Sequence, residues 1–328
     1  MAKSLNQKLK LLYLVDILER KTDEKHPMTA ARLIEELEQL GVSAERKSIY
    51  DDVEQLCQYG YDIVHIKSRI NGGYYMASRR FELAELKVLV DSVQASRFLS
   101  VKKTRELIGK LEQLCSVYEE KQLKRQVYVL NRVKTDNENI FYNVDYIHDA
   151  IHNNRQISFQ YYEWNTDKAM KLKRDGARYV VSPLGLTWDD ENYYLVAFEE
   201  EKAAIRHYRV DKMKSIEVLD ANRSEKSGHR EFDMAAYTNK VFGMYGGEQA
   251  KVTLMFPEQL IGVMLDRFGK DVSLKKEKEG EYSIHTDVVI SDQFFGWLAG
   301  LGKQVHILSP ESVRQRYKEY LLTIIENL

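Results

Sequence analysis

The chain has 328 residues, 44% of them hydrophobic and 30% charged, with a formal net charge of −1. Such a length calls for two or three domains with real cores, and no apolar run approaches the roughly 20 residues of a membrane span. The near-zero charge excludes a globally basic nucleic-acid coat, so contacts of that kind must come from local clusters.

The first seven residues lead into a charged amphipathic pattern rather than an apolar signal core, and only Cys57 and Cys115 are present. Neither a disulfide framework nor a thiolate metal cage can be built from these, so the expected compartment is reducing cytoplasm, with no membrane partner.

Residues 6–76 read as three helices and a hairpin. Leu9, Leu12, Tyr13, Val15, Ile17 and Leu18 recur at helical spacing up to His26-Pro27. Thr29 caps a second helix with Leu33, Ile34, Leu37 and Leu40 inward and Gly41 closing it. Ser43 is the expected N-cap of a third, with Ile49, Val53 and Leu56 inward and Gly60 at its end. Tyr61 to Ile66 alternates as a strand, Asn71-Gly72-Gly73 supplies a turn, and Tyr74-Tyr75-Met76 returns.

From Phe81 to about Val133 the pattern is long-helical, suited to a linker and dimer contact. A helix at 144–153 then precedes short strands at 157–162, 178–182, 193–198 and 204–210, a compact antiparallel module. Residues 220–247 carry glycines at Gly243 and Gly246-Gly247 and read as a linker. The last block reads strand 251–256, helix 258–268, strands 272–276 and 281–289, helix 291–300, strand 304–308, helix 310–326. The expected domains are thus 1–77, 78–140, 141–220, a linker at 221–249, and 250–328.

Two short amphipathic helices joined through Leu40-Gly41-Val42-Ser43 have the spacing of a helix-turn-helix, whose second helix enters the major groove. On its outward side Arg46 and Lys47 can donate to guanine acceptors or phosphates, and Ser48 and Tyr50 can bond phosphate oxygens. Lys67 and Arg69 on the hairpin add backbone or minor-groove contacts. The run Ser43-Ala44-Glu45-Arg46-Lys47-Ser48-Ile49-Tyr50-Asp51-Asp52-Val53 resembles the recognition helix of DeoR-type winged-helix heads, with Tyr50 where that family commonly has arginine.

Three later motifs carry a second resemblance. Val181-Ser182-Pro183-Leu184-Gly185-Leu186, Asn192-Tyr193-Tyr194-Leu195-Val196-Ala197-Phe198 and Arg206-His207-Tyr208-Arg209-Val210-Asp211-Lys212-Met213 resemble the WYL domain in order and spacing. Val252 to Pro257, Phe268-Gly269, Trp297 to Gly302 and Val305 to Pro310 are similar to the C-terminal extension that accompanies many WYL domains. The resemblance implies an Sm-like small β-barrel whose groove binds a nucleotide or single-stranded nucleic acid effector, here through Ser182, Tyr194, Arg206, His207, Tyr208 and Arg209. Strand alternation separates Arg206 and Tyr208 from His207 and Arg209, so one pair at most joins Tyr194 in a pocket unless a bulge intervenes. Asp189, Asp190 and Glu191 are candidate salt-bridge partners for these arginines.

Enzyme motifs do not emerge. His148 and His152 have the i, i+4 spacing of a helical zinc site, but Asp149 stands where the catalytic glutamate would be. No phosphate loop, nucleophile elbow or dinucleotide fingerprint occurs, and no cofactor is implied. The expected fold is α+β multidomain: winged helix-turn-helix, helical linker, Sm-like barrel and C-terminal α+β sandwich. The expected function is an effector-controlled transcription regulator acting as a homodimer on a double-stranded operator. The alternative is a nucleic-acid-binding accessory or defence-associated protein without operator-specific regulation.

Overall fold

The computed structural model describes residues 7–68, 70–123, 134–135 and 137–328. They fall into two compact units, Met1–Asp136 and Asn137–Leu328. The fold is mixed α+β, largely helical in the first unit and built on antiparallel sheets in the second. Among the described residues no helix is long and apolar enough to cross a membrane.

The first unit comprises α1 (Lys10–Lys21), α2 (Ala30–Gln39), α3 (Arg46–Tyr59), β1 (Ile63–Ile66), β2 (Gly73–Met76), α4 (Leu83–Ala95), α5 (Val101–Glu112) and α6 (Val117–Leu123). Leu14 and Leu18, Leu33 and Leu37, and Ile49, Val53 and Leu56 bring one stripe from each of the first three helices into a shared core with Met76. Burial of each such side chain contributes about 1.5–3 kcal/mol. Thr29 caps α2 by accepting the Arg32 N–H, and Gly60 ends α3 at a φ of +121°.

Two sequence expectations shift here. Glu45, not Ser43, is the N-cap of α3, and its side chain makes no capping bond. The cause is Val42, fully buried and bonded through its N–H to the Leu37 carbonyl, so that residues 43–45 are used in turning the chain. Leu12 and Leu40, expected inward, are exposed.

β1 and β2 pair antiparallel from Ile63↔Met76 to Ile66↔Gly73, and a bridge from Met28 to Tyr74 ties the hairpin to the approach of α2. At Gly73 a Cβ would fall 2.5 Å from the Met28 backbone, so this contact requires glycine. The 81–123 stretch is three helices rather than long continuous ones. It breaks where Phe98 and Leu99 turn inward, and Ser100 then caps α5. The rest of the expected helix, 124–133, lies outside the described residues.

The second unit contains α7 (Ile140–His152), β3 (Arg155–Trp164), β4 (Met170–Leu172), β5 (Tyr179–Asp189), β6 (Asn192–Glu199), β7 (Ala204–Arg209), β8 (Met213–Asn222), α8 (Met234–Lys240), β9 (Glu248–Pro257), α9 (Ile261–Phe268), β10 (Leu274–Lys278), β11 (Glu281–Ile290), α10 (Asp292–Gly300), β12 (His306–Ser309) and α11 (Glu311–Glu326). Its first sheet runs β4-β3-β5-β6-β7 with β8 also on β3. β3 can serve three partners because its first half pairs with β5 and β8 and its last residues, Tyr162–Trp164, pair with β4. Neither β4 nor β8 is among the strands expected from sequence, and the stretch read as a linker is folded: α8 lies in it, and Val241, Phe242 and Met244 are buried.

The second sheet, β10-β11-β9-β12, packs with α9 and α10 around Val252, Leu254, Phe256, Ile284, Phe294 and Leu298. Its element order, from strand through to the final helix, is the order read from the sequence.

Candidate nucleic-acid interfaces

The first turn of α3 presents Arg46 and Lys47 to solvent, and among the described residues neither forms an ion pair. Arg46 Nε donates to the Tyr50 hydroxyl at 2.5 Å, with the guanidinium 5.8 Å from the ring centroid. The Tyr50 ring in turn lies 6.3 Å from that of Tyr74, which stacks on His65 at 4.3 Å. An aromatic ledge thus runs from α3 onto the hairpin. Sequence reasoning missed His65, whose role depends on the register of β1 against β2.

Ser48 departs from expectation. It sits half-buried on the inner flank of α3, accepting a bond from Lys10 Nζ and lying 3.5 Å from Asp52 Oδ2. Lys10 Nζ reaches Asp52 Oδ2 at 2.5 Å, and the lysine side chain is only 8% exposed. This triad fixes α3 against α1, so Ser48 positions the helix instead of offering a hydroxyl outward. Lys67 is exposed beyond β1, while Arg69 lies outside the described residues. Ser68 Oγ accepts the N–H groups of Ile70 and Asn71, both at 3.3 Å, and so closes the hairpin turn beneath an exposed Ile70.

A second knot missed from sequence holds the three-helix head to α5 and α6. Arg20 donates to the Glu112 and Cys115 carbonyls and pairs with Glu120. Arg79 donates to the Thr22 and Glu19 carbonyls, Ser116 donates to Asp23, and His26 stacks on Tyr118 at 3.7 Å. These partners are more than 50 residues apart in the chain, and no local pattern connects them.

The six residues expected to line one effector groove do not share one. Tyr208 is a core residue, 6% exposed, in edge contact with Phe159, Tyr161 and Tyr179. Its hydroxyl donates to the buried Glu199 carboxylate, and burial, with that carboxylate, pushes its ionisation far upward. Ser182 is fully buried, accepting the Ser224 N–H at 2.9 Å. Neither hydroxyl is open to an effector, because an inward strand position claims that of Tyr208 and the Ser224 backbone claims that of Ser182.

Arg206 is half-exposed, with Nε 3.9 Å from Glu199. Glu199 is held more closely by Arg174, whose guanidinium lies over the Tyr179 ring. Arg209 faces the other way and grips Asp211 through Nε and Nη2, at 3.0 and 2.8 Å. The carboxylates that engage the two arginines are therefore Glu199 and Asp211, in place of the expected Asp189–Glu191.

Tyr194 pairs with Arg209 across the β6–β7 ladder and packs half-buried against Val241, Met244 and Val289. His207 Nε2 is 3.0 Å from the Tyr237 hydroxyl, and burial pushes its pKa down to about 4. Sequence alternation thus separated the residues correctly, but the neighbours covering Tyr194 and His207 come from a stretch read as a linker. His148 and His152 are exposed on α7, and among the described residues no group of three or more His, Cys, Asp or Glu is arranged to hold a metal.

Comparison with known proteins adds the following. Residues 143–218 match the family model described as the WYL domain, and residues 248–325 match the one described as the WCX domain. No curated protein matches the chain. Among solved structures, "Proteasome accessory factor B/C (PafBC) of Arthrobacter aurescens" is 17% identical with a TM-score of 0.27, covering 94% of this chain and 45% of that one. This chain therefore spans under half the length of that protein. "Crystal structure of a CRISPR Cas-related protein" is 15% identical with a TM-score of 0.36, covering 97% of this chain and 84% of that one. One family match thus falls on the curled sheet and the other on the C-terminal block.

Proposed function

We propose that the protein is a DNA-binding transcription regulator in which residues 1–77 act as a winged helix-turn-helix and the WYL domain as an effector sensor. The carrying observation is the first turn of α3, where Arg46 and Lys47 stand exposed beside a helix N-terminus while Lys10, Ser48 and Asp52 lock the same helix from behind. A rigid helix with cations at its leading end meets the geometric demand of major-groove reading. Tyr50, Lys67 and Arg69 add phosphate and backbone contacts that set the register. The protein performs no reaction of its own in this reading and works in the cytoplasm.

The effector is a nucleotide or single-stranded nucleic acid. The outer β6–β7 face, with Tyr194 and His207 flanked by the Arg209 guanidinium, supplies a phosphate contact and stacking worth about 1–3 kcal/mol per base. Because helix-turn-helix regulators read paired half-sites, a homodimer on a double-stranded operator is expected.

Footprinting on the promoter of the protein's own operon, with an Arg46→Ala/Lys47→Ala variant beside the native chain, tests the assignment. Loss of a sequence-specific footprint in a folded variant supports it; an unchanged footprint removes α3 as the reading helix. Sequence-independent binding by the native chain would instead favour an accessory nucleic-acid-binding protein.

A further inference from the structure

Strand β7 turns His207 and Arg209 to the outside of the curled sheet, beside Tyr194 of β6. Solvent does not have free access to that side. The His207 ring is bonded to the Tyr237 hydroxyl of α8 and to the backbone of Met244. Tyr194 packs with Tyr237 against Val241 and Met244. At the upper end Met234 drops its terminal methyl onto Gly185 of β5, where a Cβ would meet that carbon at 2.1 Å. A single stretch, 234–244, therefore engages one sheet face at three separate points.

The stretch is attached unevenly. At its far end Phe242 is buried in the core of the C-terminal block, under the Arg267 guanidinium at 3.9 Å from its ring centroid, and Arg267 also donates to the Val241 carbonyl. By contrast, α8 has seven residues and buries none of them fully. A helix this short does not stand alone in water, and few buried contacts resist its local opening. One end is a firm hinge and the other a light flap.

We propose that residues 234–241 form a built-in cover over the Tyr194–His207 face, hinged at Phe242 and latched by Met234 on Gly185 and Tyr237 on His207, so that a ligand for this face must first displace α8. The cover itself is independent of what binds. Its consequence for effector affinity rests on the effector reading above: a site open only a fraction of the time binds more weakly by that fraction.

The experiment uses the full chain and the variant Met234→Ala/Tyr237→Ala, which removes both latches and leaves the sheet face intact. Histidine ring titration by NMR, with the His207 resonance assigned through His207→Gln, reads the cover without ligand. A labelled oligothymidylate probe reads access. The cover predicts that His207 titrates near 4 in the native chain and moves toward 6.5 in the variant, with probe affinity rising about tenfold or more. A His207 that stays near 4 in the variant overturns the cover, because something other than α8 then shields the ring. A ring that is released while the probe binds both proteins equally overturns the gating. If the ring is released and neither protein binds the probe, the cover stands and the single-stranded-effector reading fails.

Discussion

Tyr208 and Arg46 illustrate how residue type and residue role separate. Both are polar side chains picked out by motif, yet Tyr208 is a core member whose hydroxyl serves the buried Glu199 carboxylate, whereas Arg46 stands in solvent against Tyr50. Tyr208→Phe should therefore cost stability, about 1.5–3 kcal/mol for a hydrogen bond to a charged group, seen as a lower urea midpoint with no change in probe affinity. Lys47→Ala should weaken operator binding across sequences and reduce the slope of log K against log salt by about 1, because one phosphate contact releases about one counterion. Binding titrations at several salt concentrations check this; an unchanged slope places Lys47 off the backbone.

Element positions are set by polar knots between distant segments. The Lys10–Asp52 pair is nearly enclosed between α1 and α3, and removing one member of such a pair leaves a charge without its counterion. Lys10→Met should lower the stability of the head by about 3 kcal/mol, read as earlier loss of helical circular dichroism on heating, and operator affinity should fall with it since α3 loses its seat. Lys10→Arg, which keeps the charge, should lose less of both. For α8, the sign of the pH effect follows from His207. Covered, the ring titrates near 4 because burial opposes its charge, with the Arg206 guanidinium adding to this and the Met244 backbone bond opposing it, while the uncharged Tyr237 hydroxyl faces it from α8. An opened ring titrates near the ordinary 6.5. The closed state is thus fully favoured above 6.5 and loses up to about tenfold in population ratio per unit as the pH falls toward 4. Faster amide exchange across 234–241 at pH 5 than at pH 7, after correction for intrinsic rates, is the expected outcome.

For the whole molecule, the two compact units divide the work in the proposed regulator: DNA contact in the first, effector contact in the second. A homodimer should appear by light scattering at micromolar concentration, and its operator half-sites should lie about one helical turn or a multiple apart. A monomer bound to a single half-site would contradict that arrangement.

Local pattern alone determined a good deal. The helical stripes of α1 to α3, the Thr29 cap, the Gly60 stop, the hairpin turn and the element order of the C-terminal block all follow from spacing and backbone preference, which act over a few residues. The WYL motifs were legible for a similar reason, since they lie in consecutive strands. Tertiary structure decided the rest. Ser48 is claimed by Lys10 from 38 residues away, Ser182 by the Ser224 backbone, Arg209 by Asp211 instead of the acidic run before β6, and the face of Tyr194 and His207 by a segment that reads in sequence as a linker. Periodicity tells which side of an element is apolar, but not which distant group will arrive to satisfy a polar atom there, because that depends on how separate elements pack in space.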